Sequence, residues 1–181
     1  MIKSLDVLLI SLFISCSFLG EGKAFDHNQW CGKYPFHGFF EDKTIKQEME
    51  SFLSQAQINY IKSNLATVSP IWHEDSFIIA RGCKQHDCPS EDYMLVLSPI
   101  DKKRYLCLWK ALEGSWGRGT MIFYSSSFSK RLVFRNIYAK GCIFTEEGIK
   151  EFIKEIKSSS GEESAKNAVK KLVEKGLRRV F

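Results

Sequence analysis

The 181-residue chain has only 4 prolines and 4 histidines, and no biased tract. The first shortage excludes a collagen-like or proline-rich chain. The second leaves little material for a histidine-rich metal centre. No Gly-x-Ser-x-Gly motif is present, so the serines, histidines and aspartates define no hydrolase nucleophile, and the chain is not expected to be an enzyme. No internal repeat is visible. Beyond the N-terminus no apolar run approaches the ~20 residues that a membrane-spanning helix needs. The 6 cysteines are too few for a disulfide-dominated miniprotein of this length and too many to ignore. Hydrophobic residues at 44% and aromatics at 13% supply a packed core and exclude global disorder. The net charge of +5 is a mild excess that permits an anionic partner without demanding one.

Compartment is read from the first 24 residues. Met1-Ile2-Lys3 is a short positive start, and Val7 to Leu19 is almost wholly apolar or small. Gly22-Lys23-Ala24 places small residues at the −3 and −1 positions of a cleavage site. That is the layout of a secretory signal peptide over 1–24. A retained anchor and a lipoprotein built on Cys16 are weaker readings. Cleavage removes Lys3, Lys23, Asp6 and Glu21, so the charge stays at +5. It also removes Cys16 and leaves Cys31, Cys83, Cys88, Cys107 and Cys142. An odd number leaves at least one thiol unpaired within the chain. Cys31 has Cys107 and Cys142 as candidate partners, and sequence does not choose between them.

The aromatic-rich residues 25–41 are irregular. Lys43 to Leu65 carries Ile45, Met49, Phe52, Leu53, Ala56, Tyr60 and Ile61 at helical spacing. Five β-like runs follow: Ser76–Arg81, Tyr93–Ser98, Arg104–Trp109, Thr120–Ser125 and Arg131–Tyr138. Ser98 to Lys103 reads as a hairpin connection. The glycine-rich stretch from Gly114 to Gly119 reads as a turn, in which Trp116 and Arg118 are candidate surface residues. Thr145 caps a helix running to about Ser158, and a last helix, Glu162 to Lys175, is closed by Gly176. Cys107 shares strand parity with Tyr105 and Trp109. The order predicts an α+β fold: a roughly five-stranded, mainly antiparallel sheet packed with an N-terminal amphipathic helix and C-terminal helices. The expected organisation is a signal peptide at 1–24, an α+β domain at 25–160 and a basic C-terminal helix at 161–181. Lys166, Lys170, Lys171 and Lys175, with Arg178 and Arg179 beyond, read as a solvated face over inward Val169, Leu172 and Val173. The alternative is contact with anionic lipid, nucleic acid or peptidoglycan, as in an envelope adaptor.

The most informative segment joins the first two predicted strands: Gly82-Cys83-Lys84-Gln85-His86-Asp87-Cys88-Pro89. In an exported protein, two cysteines enclosing four residues can close a small ring. The ring would present Lys84 and His86 as donors, with Asp87 orienting His86 or accepting from backbone N–H groups. A stabilising staple is the bland alternative. Metal binding by Cys83, His86 and Cys88 is another, although the spacing is not that of a zinc knuckle. Thiol–disulfide exchange would favour Cys-x-x-Cys at a helix start. The other histidines, His27, His37 and His73, are scattered.

From Phe77 to Cys88 the chain resembles the signature loop of the Ivy family, the bacterial inhibitors of vertebrate (C-type) lysozyme. The family pattern is a strand, then Cys-Lys-Pro-His-Asp-Cys, then a second apolar strand, for which Tyr93 to Leu97 and then Tyr105 to Trp109 stand in the right places. The resemblance spans roughly residues 43–125 and is most specific at 82–88. It implies a periplasmic or secreted inhibitor, often dimeric, that pushes a disulfide-closed loop into the lysozyme cleft. His86 would then be the central inhibitory group, flanked by Lys84, Gln85 and Asp87, with Cys83–Cys88 as the clamp. The implied partner is a lysozyme or related muramidase; homodimerisation is compatible, and no cofactor, metal, nucleic acid or integral membrane segment after processing is implied. Gln85 departs from the family's proline, with Pro89 just outside the ring as partial compensation. The +5 charge opposes long-range steering toward a basic lysozyme, and the alternatives are a different lysozyme or muramidase, or an envelope or secreted binding protein with an Ivy-like fold, a different partner and no retained inhibition.

Overall fold

The computed structural model describes residues 26–177 with the exception of 36, 37, 65, 66, 89, 116, 140 and 143. The 1–24 leader, His37, Pro89, Trp116, Arg178 and Arg179 lie outside the described residues. The amphipathic stretch at 43–65 forms two helices rather than one: α1, Lys43–Glu50, and α2, Gln55–Asn64. Asp42 starts α1 by accepting from the N–H groups of Thr44 and Ile45 at 2.8 and 3.0 Å. Such a cap contributes ~1 kcal/mol. Ser51 ends it, its hydroxyl donating back to Glu48 O. Ser54 then opens α2 with a reciprocal pair: its N–H donates to Gln57 Oε1 at 2.7 Å, and its hydroxyl oxygen accepts from Gln57 N–H at 3.4 Å. This Ser-x-x-Gln capping box outweighs the continuous apolar periodicity. The break shifts the inward face, so Ile58 and Ile61 are buried and Ala56 is exposed.

Seven strands make one antiparallel sheet, against the five expected. They are β1 (Thr67–Val68), β2 (Trp72–Glu74), β3 (Phe77–Cys83), β4 (Glu91–Ser98), β5 (Lys103–Ala111), β6 (Arg118–Ser125) and β7 (Leu132–Tyr138). Across the sheet the order is β1-β3-β4-β5-β6-β7, with β2 also paired to β3. The five predicted runs appear as β3 to β7. The two additions are short and pair with the same neighbour, so the sheet is six strands wide.

Alternation along the strands builds a core on each face. On one side Ile78, Tyr93, Leu95, Leu97 and Leu106 pack with Ile45 and Met49 of α1, Leu53 of the α1–α2 connection, and Ile58 and Ile61 of α2. On the other, Phe77, Ile79, Met94, Val96, Tyr105, Trp109 and Phe123 meet two C-terminal helices, α3 (Glu146–Ser158) and α4 (Glu162–Leu177). Each fully buried large apolar side chain contributes roughly 1.5–3 kcal/mol. Cys107 faces this second core with Tyr105 and Trp109, as strand parity predicted. Thr145 caps α3 by accepting from Gly148 N–H. Gly176 does not close α4, which runs to Leu177; a Cβ at 176 would lie 3.2 Å from the Phe144 ring, so the glycine lets α4 approach that ring. Glu48 is a buried exception on the first side. Its carboxylate takes the Arg104 Nε at 2.5 Å and the Lys102 Nζ at 3.3 Å, fixing α1 to the β4–β5 hairpin.

Candidate functional site

The 83–90 connection leaves β3 and re-enters β4 across a narrow, hydrogen-bonded base. Cys83 and Cys88 form a disulfide with Cα atoms 4.8 Å apart. Lys84 N–H donates to Glu91 O at 2.9 Å, closing the ladder. Asp87 N–H donates to Lys84 O at 3.1 Å, so Lys84 to Asp87 is a four-residue turn. Ser90 N–H donates to Asp87 O at 3.0 Å and carries the chain out of the ring. The four polar residues that the sequence placed inside the ring sit on this turn. Lys84, Gln85, His86 and Asp87 are all exposed.

His86 occupies the third turn position with φ +62°, in the left-handed region. That position favours glycine or asparagine, although histidine tolerates it better than most residues. The backbone conformation is held from both sides by the disulfide and the turn hydrogen bond. Lys84 Nζ lies 3.7 Å from Asp87 Oδ2, spanning the turn on one flank. The imidazole is therefore presented at the tip, while its two charged neighbours compensate each other. Asp87 pairs with Lys84 rather than orienting His86.

Below the loop lies a buried node that sequence did not reveal. Asp92 is the ladder partner of Cys83 and is only 3% exposed. Its Oδ1 accepts from Cys142 N–H at 2.7 Å. Burial lifts its carboxyl to about 7, against the lowering effects of that bond and of the Arg81 charge. Arg81 is itself fixed: it donates to Phe144 O at 3.0 Å and lies over the Trp72 ring. Gly141, at φ +84°, is required here because a Cβ would fall 1.7 Å from Asp92 Oδ2. Cys142 pairs with Cys107, which settles the pairing left open above and leaves Cys31 as an exposed free thiol.

The other candidate features fall elsewhere. The four lysines of α4 each have a carboxylate partner: Lys166 with Glu162 at 2.6 Å, Lys170 with Glu163 at 3.8 Å, Lys171 with Glu155 at 3.0 Å, and Lys175 with Glu151. Val169, Leu172 and Val173 pack inward, as a solvated basic face requires. Among the described residues no group of three or more His, Cys, Asp or Glu is placed to hold a metal ion. Nor is any described helix long and apolar enough to cross a membrane.

Fold and site together define a class: an α+β scaffold that presents one disulfide-closed turn at a strand–strand connection. Residues 44–116 match the family model described as Inhibitor of vertebrate lysozyme (Ivy). That segment runs from α1 through the closed turn to the β5–β6 connection. No curated protein and no solved structure matches the chain.

Proposed function

We propose that this protein is an exported lysozyme inhibitor, periplasmic or secreted, which occludes the enzyme by inserting the Cys83–Cys88 turn into its active-site cleft. The observation that carries the reading is the exposed His86, held at a left-handed φ on a disulfide-closed turn within the Ivy-matched segment. A lysozyme cleft offers one protonated and one ionised carboxyl group, about 5–5.5 Å apart in retaining enzymes. An imidazole between them donates from one ring nitrogen and accepts at the other, or donates from both when protonated. It therefore satisfies the pair whichever member holds the proton. Occlusion uses no bond-making step, so the inhibitor is not consumed.

Preorganisation contributes to affinity. A turn already fixed by a covalent clamp and three backbone hydrogen bonds loses little entropy when the cleft closes around it. The test is inhibition of a panel of lysozymes by the oxidised protein and by protein selectively reduced at Cys83–Cys88. Oxidised protein should inhibit at least one member, and reduction should weaken that inhibition. Absence of inhibition across C-type and other muramidases would refute the assignment.

A further inference from the structure

A groove of about 580 Å³ lies beside the closed turn, walled on its far side by the β5–β6 connection. The two walls are joined at their base, where Ala111 N–H donates to Ser90 O at 2.7 Å. Two hydrogen bonds cross the far wall: Leu112 N–H donates to Arg118 O at 2.8 Å, and the Ser115 hydroxyl donates to Leu112 O at 2.9 Å. Lys84 and Asp87 line the groove from the turn side, so any molecule that surrounds the turn also covers the groove.

Its charges do not follow those of the chain. Five charged residues line it: Lys84 and Lys110, against Asp87, Glu91 and Glu113. Lys84 pairs with Asp87, and Lys110 lies 3.8 Å from Glu91 Oε1. Glu113 has no such partner among the described residues and is exposed. A chain of net charge +5 thus presents one uncompensated negative charge next to its proposed working loop. Leu112 stands beside it, 40% exposed, among the few large apolar side chains left open to solvent. A carboxylate next to an exposed aliphatic side chain complements a lysine or arginine, whose apolar stem and charged head have the same sequence of properties.

We infer that this groove is a second contact for the same lysozyme, receiving a basic side chain from the lip of its cleft, with Glu113 pairing the charge and Leu112 packing on the stem. The inference rests on the lysozyme-inhibitor reading and adds the part of the partner that the groove engages. It also bears on the objection raised by the net charge, because the groove lining carries more carboxylates than cations.

The test measures association and dissociation of the full oxidised protein with a basic C-type lysozyme, at low and high salt. The proteins compared are wild type, Glu113→Lys, Glu113→Gln, Leu112→Ala and His86→Ala. Glu113→Lys should weaken binding about tenfold at low salt, chiefly through slower association, with the difference shrinking at high salt. Glu113→Gln should show about a third to a half of that effect on a logarithmic scale. Leu112→Ala should speed dissociation about three- to tenfold. Both positions are exposed, and unchanged thermal midpoints verify folding. If His86→Ala abolishes binding while the Glu113 and Leu112 variants bind as wild type does, the groove proposal fails and the inhibitor reading stands. If wild type does not bind the basic enzyme, the groove proposal fails, because it requires a basic partner, and the inhibitor reading is decided separately by the lysozyme panel.

Discussion

Replacing His86 with glycine separates what this residue does for the fold from what it does for binding. At φ +62° a non-glycine residue carries a backbone penalty of roughly 1–2 kcal/mol, which glycine escapes. Glycine ordinarily returns roughly 0.5–1 kcal/mol of this through greater freedom in the unfolded chain. Here that return is reduced, because the Cys83–Cys88 ring persists in the unfolded state and restricts position 86 there too. The balance is a stabilisation of about 0 to 2 kcal/mol. With a urea m-value of roughly 2 kcal/mol/M, the unfolding midpoint should stay level or rise by up to ~1 M. Inhibition should move the other way. Loss of a central anchor costs about 2 kcal/mol or more, which is a weakening of at least ~30-fold. The assay pairs urea unfolding under oxidising conditions with lysozyme turnover in the presence of each protein. A glycine variant that inhibits like wild type would remove His86 from the mechanism. A midpoint that drops along with inhibition would make the imidazole a structural group and refute the strain argument.

Two further perturbations address the scaffold around that residue. Gln85→Pro restores a ring constraint at the second turn position, where proline is favoured when the positive φ falls at the third; it should raise stability by about 0.4–1 kcal/mol and tighten inhibition a few-fold, and a lowered unfolding midpoint would contradict the assigned turn. For Asp92, the folded value of about 7 lies above the unfolded value of ~3.9, so the folded state holds a proton that the unfolded state releases between these limits. The contribution is therefore complete below about pH 4 and lost as pH rises through about 7, a change on the order of 2–4 kcal/mol. Asp92→Asn should flatten this dependence in urea unfolding between pH 4.5 and 8, whereas parallel curves for variant and wild type would exclude Asp92 as its source.

The features legible in the sequence were those encoded locally. Runs of six to eight residues rich in Ile, Val, Leu, Phe and Tyr, bounded by turn-forming residues, located β3 to β7. β1 and β2 are too short to show a period; they exist because β3 offers them a hydrogen-bonding edge. The break between α1 and α2 was written in the sequence as Ser54-x-x-Gln57, but a periodicity reading runs through it. The closed turn was legible for the same local reason, since all its chemistry lies within six residues. Glu113 and Leu112 were not, because only the register of β4, β5 and β6 brings their turn beside Lys84. Nothing near Asp92 in the sequence marks it as buried, and nothing distinguishes Cys107 from Cys31 as the partner of Cys142, 35 residues away.

The two disulfides are physically connected, and the connection anchors the exposed turn to the core. Cys83 stands opposite Asp92 across the β3–β4 ladder. Asp92 holds the backbone of Cys142, and Cys142 is bonded to Cys107 in the middle of β5. The base of the turn is thus tied through one buried carboxyl group to the core beneath the sheet. Arg81, two residues before Cys83, adds a second tie to the same segment through Phe144 O. Burying Asp92 costs stability as pH rises, but the arrangement fixes the strand ends from which the turn projects. A binding loop mounted on a mobile hairpin would lose much of its contact energy to ordering on each encounter. In the proposed inhibitory role of this turn, ordering during folding exchanges a stability cost within the scaffold for a smaller entropy loss on binding.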